Sequence, residues 1–129
     1  MEAKMNFPSI KDIYSGTYTP ILTNDTNITA SNVATYGEWT YTKIGNVVTV
    51  SGAVAITPTV ASSLSTLYAT LPIPSNLTLT GDLGGTGSDR RGNGWRILAG
   101  TGIDGAVITG TPSLDTLELV SITFQYRIK

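Results

Sequence analysis

With 129 residues, a formal charge of −1 and neither His nor Cys, the chain is sized for one domain. It lacks the side chains of a Ser–His–Asp triad, a cysteine nucleophile, a disulfide and the common zinc sites. Only 13% of its residues are charged, so no basic surface is available for a run of phosphates and nucleic acid is not an expected partner.

Apolar runs are a few residues long, which predicts no membrane insertion. Residues 1–10 lack the apolar stretch of a signal peptide, so synthesis in the cytoplasm without one is expected. Thr occurs 21 times and Gly 14 times; that balance favours pleated surfaces and turns over helices.

Residues 1–15 read as a Pro-interrupted arm. Phe7, Ile10, Ile13 and Tyr14 are its apolar side chains, and the spacing of Ile10, Ile13 and Tyr14 fits one helical turn after Pro8. Such an arm either folds back on its own domain or docks on another subunit, which makes these four residues the candidate anchoring contacts.

The β pattern begins at Gly16. Residues 17–23 read as one strand, with Pro20 marking an edge position, and residues 24–35 as a polar, turn-rich connection. Trp39 and Tyr41 share one face of the next strand; Thr40, Thr42 and Ile44 share the other. Gly45-Asn46, set between two β-branched and aromatic runs, is the sequence form of a tight hairpin.

Beyond it, Val48, Val50, Gly52, Val54 and Ile56 alternate with Val47, Thr49, Ser51, Ala53 and Ala55. Both sets are apolar or small, so this strand is expected to be central and covered on both sides. Gly52 marks a bulge or a close approach of other atoms. Further strands are read at 67–71, at 77–87, and as a pair at 95–99 and 106–109. The last strand places Val120, Ile122, Phe124, Tyr126 and Ile128 inward. Seven or eight short strands with close turn signals predict an all-β, antiparallel sandwich of the jelly-roll kind over residues 16–129.

Few motifs rise above this background. Residues 100–105, Gly-Thr-Gly-Ile-Asp-Gly, match dinucleotide-loop spacing, but a strand and a turn follow where a helix would have to hold the pyrophosphate. The segment is therefore a hairpin loop. Three Asn-X-Thr triplets, at Asn24, Asn27 and Asn76, are discounted as chance matches in a Thr-rich chain. The carboxylates fall mainly in turns, where Asp is a usual turn former, and are read as solvated; a glycosidase pair such as Asp82 and Asp104 would need a shared cleft. Arg90 and Arg91 sit at a Gly-rich loop tip, solvated or free to meet a carboxylate of a neighbouring subunit or an acidic glycan. Trp39 and Trp95 are candidate sugar-stacking surfaces, with core packing the competing role.

Five segments together resemble a β domain of tailed-bacteriophage fibre and head-surface proteins. They are residues 16–23 (Gly-Thr-Tyr-Thr-Pro-Ile-Leu-Thr), 41–54 (Tyr-Thr-Lys-Ile-Gly-Asn-Val-Val-Thr-Val-Ser-Gly-Ala-Val), 71–77 (Leu-Pro-Ile-Pro-Ser-Asn-Leu), 83–87 (Leu-Gly-Gly-Thr-Gly) and 124–128 (Phe-Gln-Tyr-Arg-Ile). The resemblance implies a trimeric β-sandwich on the virion surface, serving adhesion or capsid decoration, without catalysis, catalytic residues, cofactor or metal.

Because the domain begins after a short arm, a head fibre or decoration protein fits better than a long tail fibre. In that reading residues 1–15 anchor the protein to capsid or tail proteins. Host-surface glycans are the remaining partner class, through Arg90, Arg91, Trp95 or Trp39. The competing readings are a free carbohydrate-binding module and a tail-fibre receptor-binding tip.

Overall fold

The computed structural model describes residues 13–33 and 36–129. Ten strands form one antiparallel sheet curled into a half-barrel: β1 (Ile13–Tyr18), β2 (Leu22–Thr26), β3 (Ile28–Asn32), β4 (Trp39–Ile44), β5 (Val47–Pro58), β6 (Ser65–Thr70), β7 (Leu83–Asp89), β8 (Gly94–Gly100), β9 (Gly105–Gly110) and β10 (Glu118–Arg127). The order across the sheet is β1-β4-β5-β10-β7-β8-β9-β6-β2, with β3 on the far half of β5's edge. The described residues include no α-helix, only a 3-10 turn at Thr80–Asp82, and no helix is long and apolar enough to cross a membrane.

β1 and β2 follow each other in the chain, yet they stand at opposite ends of the sheet order. The expected single strand over 17–23 is thus two strands broken at Thr19-Pro20-Ile21. Pro20 has no N–H to donate to a ladder, so pairing with β4 stops there and the chain passes to β6. A three-residue link can join the two ends only if the sheet curls. The seam shows the closure: the Tyr18 hydroxyl donates to the Thr70 carbonyl (3.1 Å), and the Ile21 N–H donates to Thr70 Oγ1 (2.9 Å).

Residues 24–32, expected as loop, are mostly β2 and β3. Asn27 turns between them in the left-handed region (φ 56°). Its side chain donates to Val60 O and to Ser65 Oγ (2.9 Å each) and accepts from Val60 N–H (2.8 Å). A conformation Asn tolerates, fixed by a long-range side-chain anchor, leaves no hydrophobic signature, which is why residue alternation misses it.

The concave face carries the core. Val48, Val50, Val54 and Ile56 of β5, Leu67 of β6, Trp95 and Ile97 of β8, Ile108 of β9, and Val120, Ile122, Phe124 and Tyr126 of β10 are buried there with Trp39. The alternation expected in β4 and β10 holds, except that Ile128 lies beyond the strand end. Gly52 is a close approach and not a bulge, since β5 pairs β10 in unbroken register through it. A Cβ there would collide with the Trp39 indole. Trp95 is flanked in register by Gly87 and Gly110, and the ring covers Gly110. Large rings lie over residues without side chains, so the layer packs without voids.

Residues 71–79 run as a strap past the C-terminal end of β10 and the β8–β9 loop. Leu71 and Leu77 are buried under it. The Tyr126 hydroxyl donates to Ile73 O (2.6 Å) and accepts from Ile73 N–H (3.3 Å). Ser75 Oγ donates to Arg127 O (2.9 Å) and its N–H donates to Asp104 Oδ2 (2.9 Å). The strand expected over 77–87 is this strap's end, the 3-10 turn, and then β7.

β5 is central, but of its outward set Thr49 and Ser51 are exposed while Ala53 is half-buried and Ala55 buried, so only its β3-paired end is covered on both sides and the rest has a wet outer face. That outer face has a regular composition. One register row runs through nine strands: Thr17, Thr40, Ser51, Thr123, Thr86, Arg96, Thr109, Thr66 and Thr26. The row beside it is Ser15, Thr42, Thr49, Gln125, Gly84, Leu98, Val107, Tyr68 and Thr23. Across these two rows the only charged side chain is Arg96. Cross-strand hydroxyl pairs of this kind each contribute roughly 0.2–1 kcal/mol.

Candidate surface-binding site

The residues singled out in the sequence do not converge on one place. Phe7 and Ile10 lie outside the described residues. Ile13 and Tyr14, assigned to the arm, belong to β1, opposite Ile44 and Lys43, so the domain includes at least Ile13–Ser15. Tyr14 meets Tyr41 edge-on (ring centroids 6.1 Å apart), and the Lys43 ammonium lies 5.6 Å from its ring centre. Its own sheet therefore engages it. Ile13 and Ile44 stay exposed at the same edge.

Trp39 and Trp95 are 0% and 3% exposed. Neither offers a face to a sugar; the role as stacking surfaces is corrected to core packing. The reason is local: each indole must cover a glycine on the neighbouring strand, and that requires it to point inward. Their N–H groups are satisfied inside, from Trp39 to Ala53 O (2.9 Å) and from Trp95 to Asp89 Oδ2 (3.2 Å).

The β7–β8 loop, residues 90–93, overturns the expectation of solvated charges. Asp89 and Glu118 are buried. Asp89 Oδ1 accepts the Arg91 and Asn93 N–H groups (3.0 and 2.9 Å), and Oδ2 accepts the Asn93 side-chain amide (2.9 Å). Burial alone would raise the Asp89 pKa; the Asn93, Trp95 and Arg91 donors outweigh it and hold the carboxyl below its usual range. Glu118 Oε2 accepts Arg91 Nε (2.8 Å) and Oε1 accepts the Arg90 N–H (3.2 Å). Arg91 is thus engaged by its own chain, while Arg90 is exposed.

Asp82 and Asp104 are also held separately. Asp82 Oδ2 accepts from Lys129 Nζ (2.8 Å) and from the Leu79 and Thr78 N–H groups (2.9 Å each). The Lys129 hydrogen bond and then those two backbone donors push its pKa down to about 2. Asp82, Lys129, Gln125 and Arg127 line an open groove of about 590 Å³. Asp104 instead faces the strap through Ser75, in a different hollow that meets the first at Lys129.

The outward-facing aromatic that sequence reasoning did not single out is Tyr68. In β6 it alternates with buried Leu67 and Ala69, which places its ring on the convex face. Two hollows flank it. One, of about 290 Å³, is lined by Ile21, Thr23, Thr70 and Gly105; the other, of about 320 Å³, by Gly100, Thr101, Gly102 and Val107. Tyr68 and Ile103 border both, so together the hollows form one trough.

β2 is irregular here: its register against β6 shifts between Asn24 and Thr26, a bulge that re-aims the intervening Asp25. Partial desolvation and then the nearby Asp25 carboxylate raise the Tyr68 phenol pKa. The alternation of β6 was a readable signal for an outward Tyr68; the bulge that brings Asp25 to it was not. No protein-family model, no curated protein and no solved structure matches this chain.

Proposed function

We propose that the chain is a non-enzymatic structural protein of a tailed-phage virion: a homotrimeric head fibre or capsid decoration protein, anchored through its N-terminal segment and exposed to the host surface. The observation that carries this reading is the convex face. Two register rows of hydroxyl, amide and small apolar side chains, with Arg96 as their only charge, favour packing against copies of the same chain over capture of a charged ligand. Residues 1–12 precede in sequence an edge strand, β1, whose Ile13 is exposed together with its register partner Ile44. That position suits an anchor. We further read the curled sheet as a jelly-roll-like sandwich, supported by its ten antiparallel strands folded round one core.

The test is particle imaging combined with truncation. Removing residues 1–12, which spares β1, is expected to leave a folded domain that no longer joins particles. Mass photometry at about micromolar concentration should give the mass of three chains. A monomer, or a truncated protein that still decorates particles, overturns the proposal.

A second reading, a carbohydrate-binding module, is favoured by a different observation: the Tyr68 trough, which lies at the other end of the sheet order from β1.

A further inference from the structure

We infer that the trough over Tyr68 is a binding site for a neutral oligosaccharide, with Tyr68 as its stacking surface and Thr23, Thr70 and Thr101 as its hydrogen-bonding rim. A sugar ring is amphipathic: its C–H face seeks an aromatic or apolar surface, and its edge carries hydroxyls that both donate and accept. The trough supplies each part. Tyr68 and Ile103 form a ridge between two hollows, with Ile21 (71% exposed) at one side. Hydroxyls stand on either side of the ridge, and Thr23 is directly opposite Tyr68 in the β2–β6 register.

The dimensions fit a short chain better than a single ring. Each hollow is near the lower bound of small-ligand sites, about 300 Å³, and the two are joined along Tyr68. An oligosaccharide draped across the ridge fills both. Charge selects neutral over acidic sugars: among the described residues no Lys or Arg lines either hollow, so an anionic ligand would find no compensating cation there, with the Asp25 charge already acting on Tyr68. Glycine keeps the second hollow open. A Cβ on Gly102 would have no atom within 4 Å, so the space there is empty of protein.

This inference deepens the host-contact part of the reading above and rests on the virion proposal only for its biological purpose. The experiment uses the full chain, with immobilised maltohexaose, chitohexaose and galactan hexamers as neutral probes and heparin hexamer as the acidic one. The expected result is binding of at least one neutral probe and none of heparin. Tyr68→Ala should weaken binding by about tenfold or more, as should Gly102→Gln, which fills the second hollow. Tyr68→Phe should retain most of it.

Matching thermal melts for Gly102→Gln and the unaltered chain keep the result interpretable if Tyr68→Ala is poorly folded. No binding to any neutral probe overturns the site, as does binding that both variants leave unchanged, or preference for heparin. Particle association with no sugar binding would sink the trough and leave the virion reading standing; sugar binding by a chain that never joins particles would do the reverse.

Discussion

Two successive loops of this half-barrel show opposite uses of their side chains. Residues 90–93, between β7 and β8, carry two arginines and look like a contact surface, yet Arg91 turns back to the buried Glu118, and Asp89 collects four donors beneath the loop. Residues 101–104, between β8 and β9, look like a plain Gly-rich hairpin, yet they leave Ile103 half exposed beside Tyr68 and two open hollows. A cluster of charge at a loop tip is therefore a poor guide to a binding site when carboxylates lie under it. An apolar side chain left in solvent next to an aromatic ring is the better guide.

If the first loop is structural and the second is not, their substitutions must differ sharply in stability. Trp95→Ala removes a 3% exposed side chain from between Gly87 and Gly110 and takes one donor from Asp89. It should cost about 3–5 kcal/mol in urea unfolding. Ile103→Ala, at 50% exposure, should cost no more than about 1 kcal/mol. Similar losses at both positions would break the contrast.

The salt bridge sharpens it. Glu118→Ala leaves Arg91 and the Arg90 N–H without their acceptor, and an expected cost of about 1–3 kcal/mol follows. Arg91→Ala should cost at least as much, about 3 kcal/mol, because the Glu118 carboxylate, 2% exposed, then stays buried with no cation beside it, whereas the 44% exposed Arg91 can be re-solvated when Glu118 is removed. A double-mutant cycle measured by chemical denaturation checks both. A coupling near zero would return Arg91 to the solvated role its position in the sequence suggests.

The elements legible in the chain are those written by alternation. β4, β5 and β10 display their buried sets as period-two patterns, Gly45 (φ 60°) makes the expected tight turn, and the hairpin around residues 101–104 follows from the absence of a helix-forming run. What was not legible depends on tertiary partners. β2 and β3 are polar because both lie on a curled sheet with mostly wet faces, and Asn27 fixes them through contacts more than thirty residues away. The strap is held by Tyr126, Arg127 and Asp104, none of which is adjacent in sequence. The candidate site was half legible. Tyr68 alternates outward in β6, but the bulge that brings Asp25 beside it is a register event, and no residue type announces it.

The smallest effect expected is an acid-side one, and it tests the first loop amide by amide. Asp89 and Asp82 both have carboxyls held below the ordinary value of about 3.9. For a group depressed in the folded state, the stabilisation is complete above the unfolded value and is lost as pH falls through the folded one. For Asp82 the loss centres on about 2; for Asp89 it lies below the ordinary carboxylate range. In an acid titration followed by NMR, the Arg91 and Asn93 amides should move only below the ordinary carboxylate range, and the Thr78 and Leu79 amides near pH 2. Salt should raise the Asp82 midpoint more than that of Asp89, because its Lys129 partner is 41% exposed, whereas buried Asp89 is held by neutral donors. Amides of the β7–β8 loop that move at the ordinary carboxylate value would mean that Asp89 is solvated after all, and the difference between the two loops would then lie in Glu118 alone.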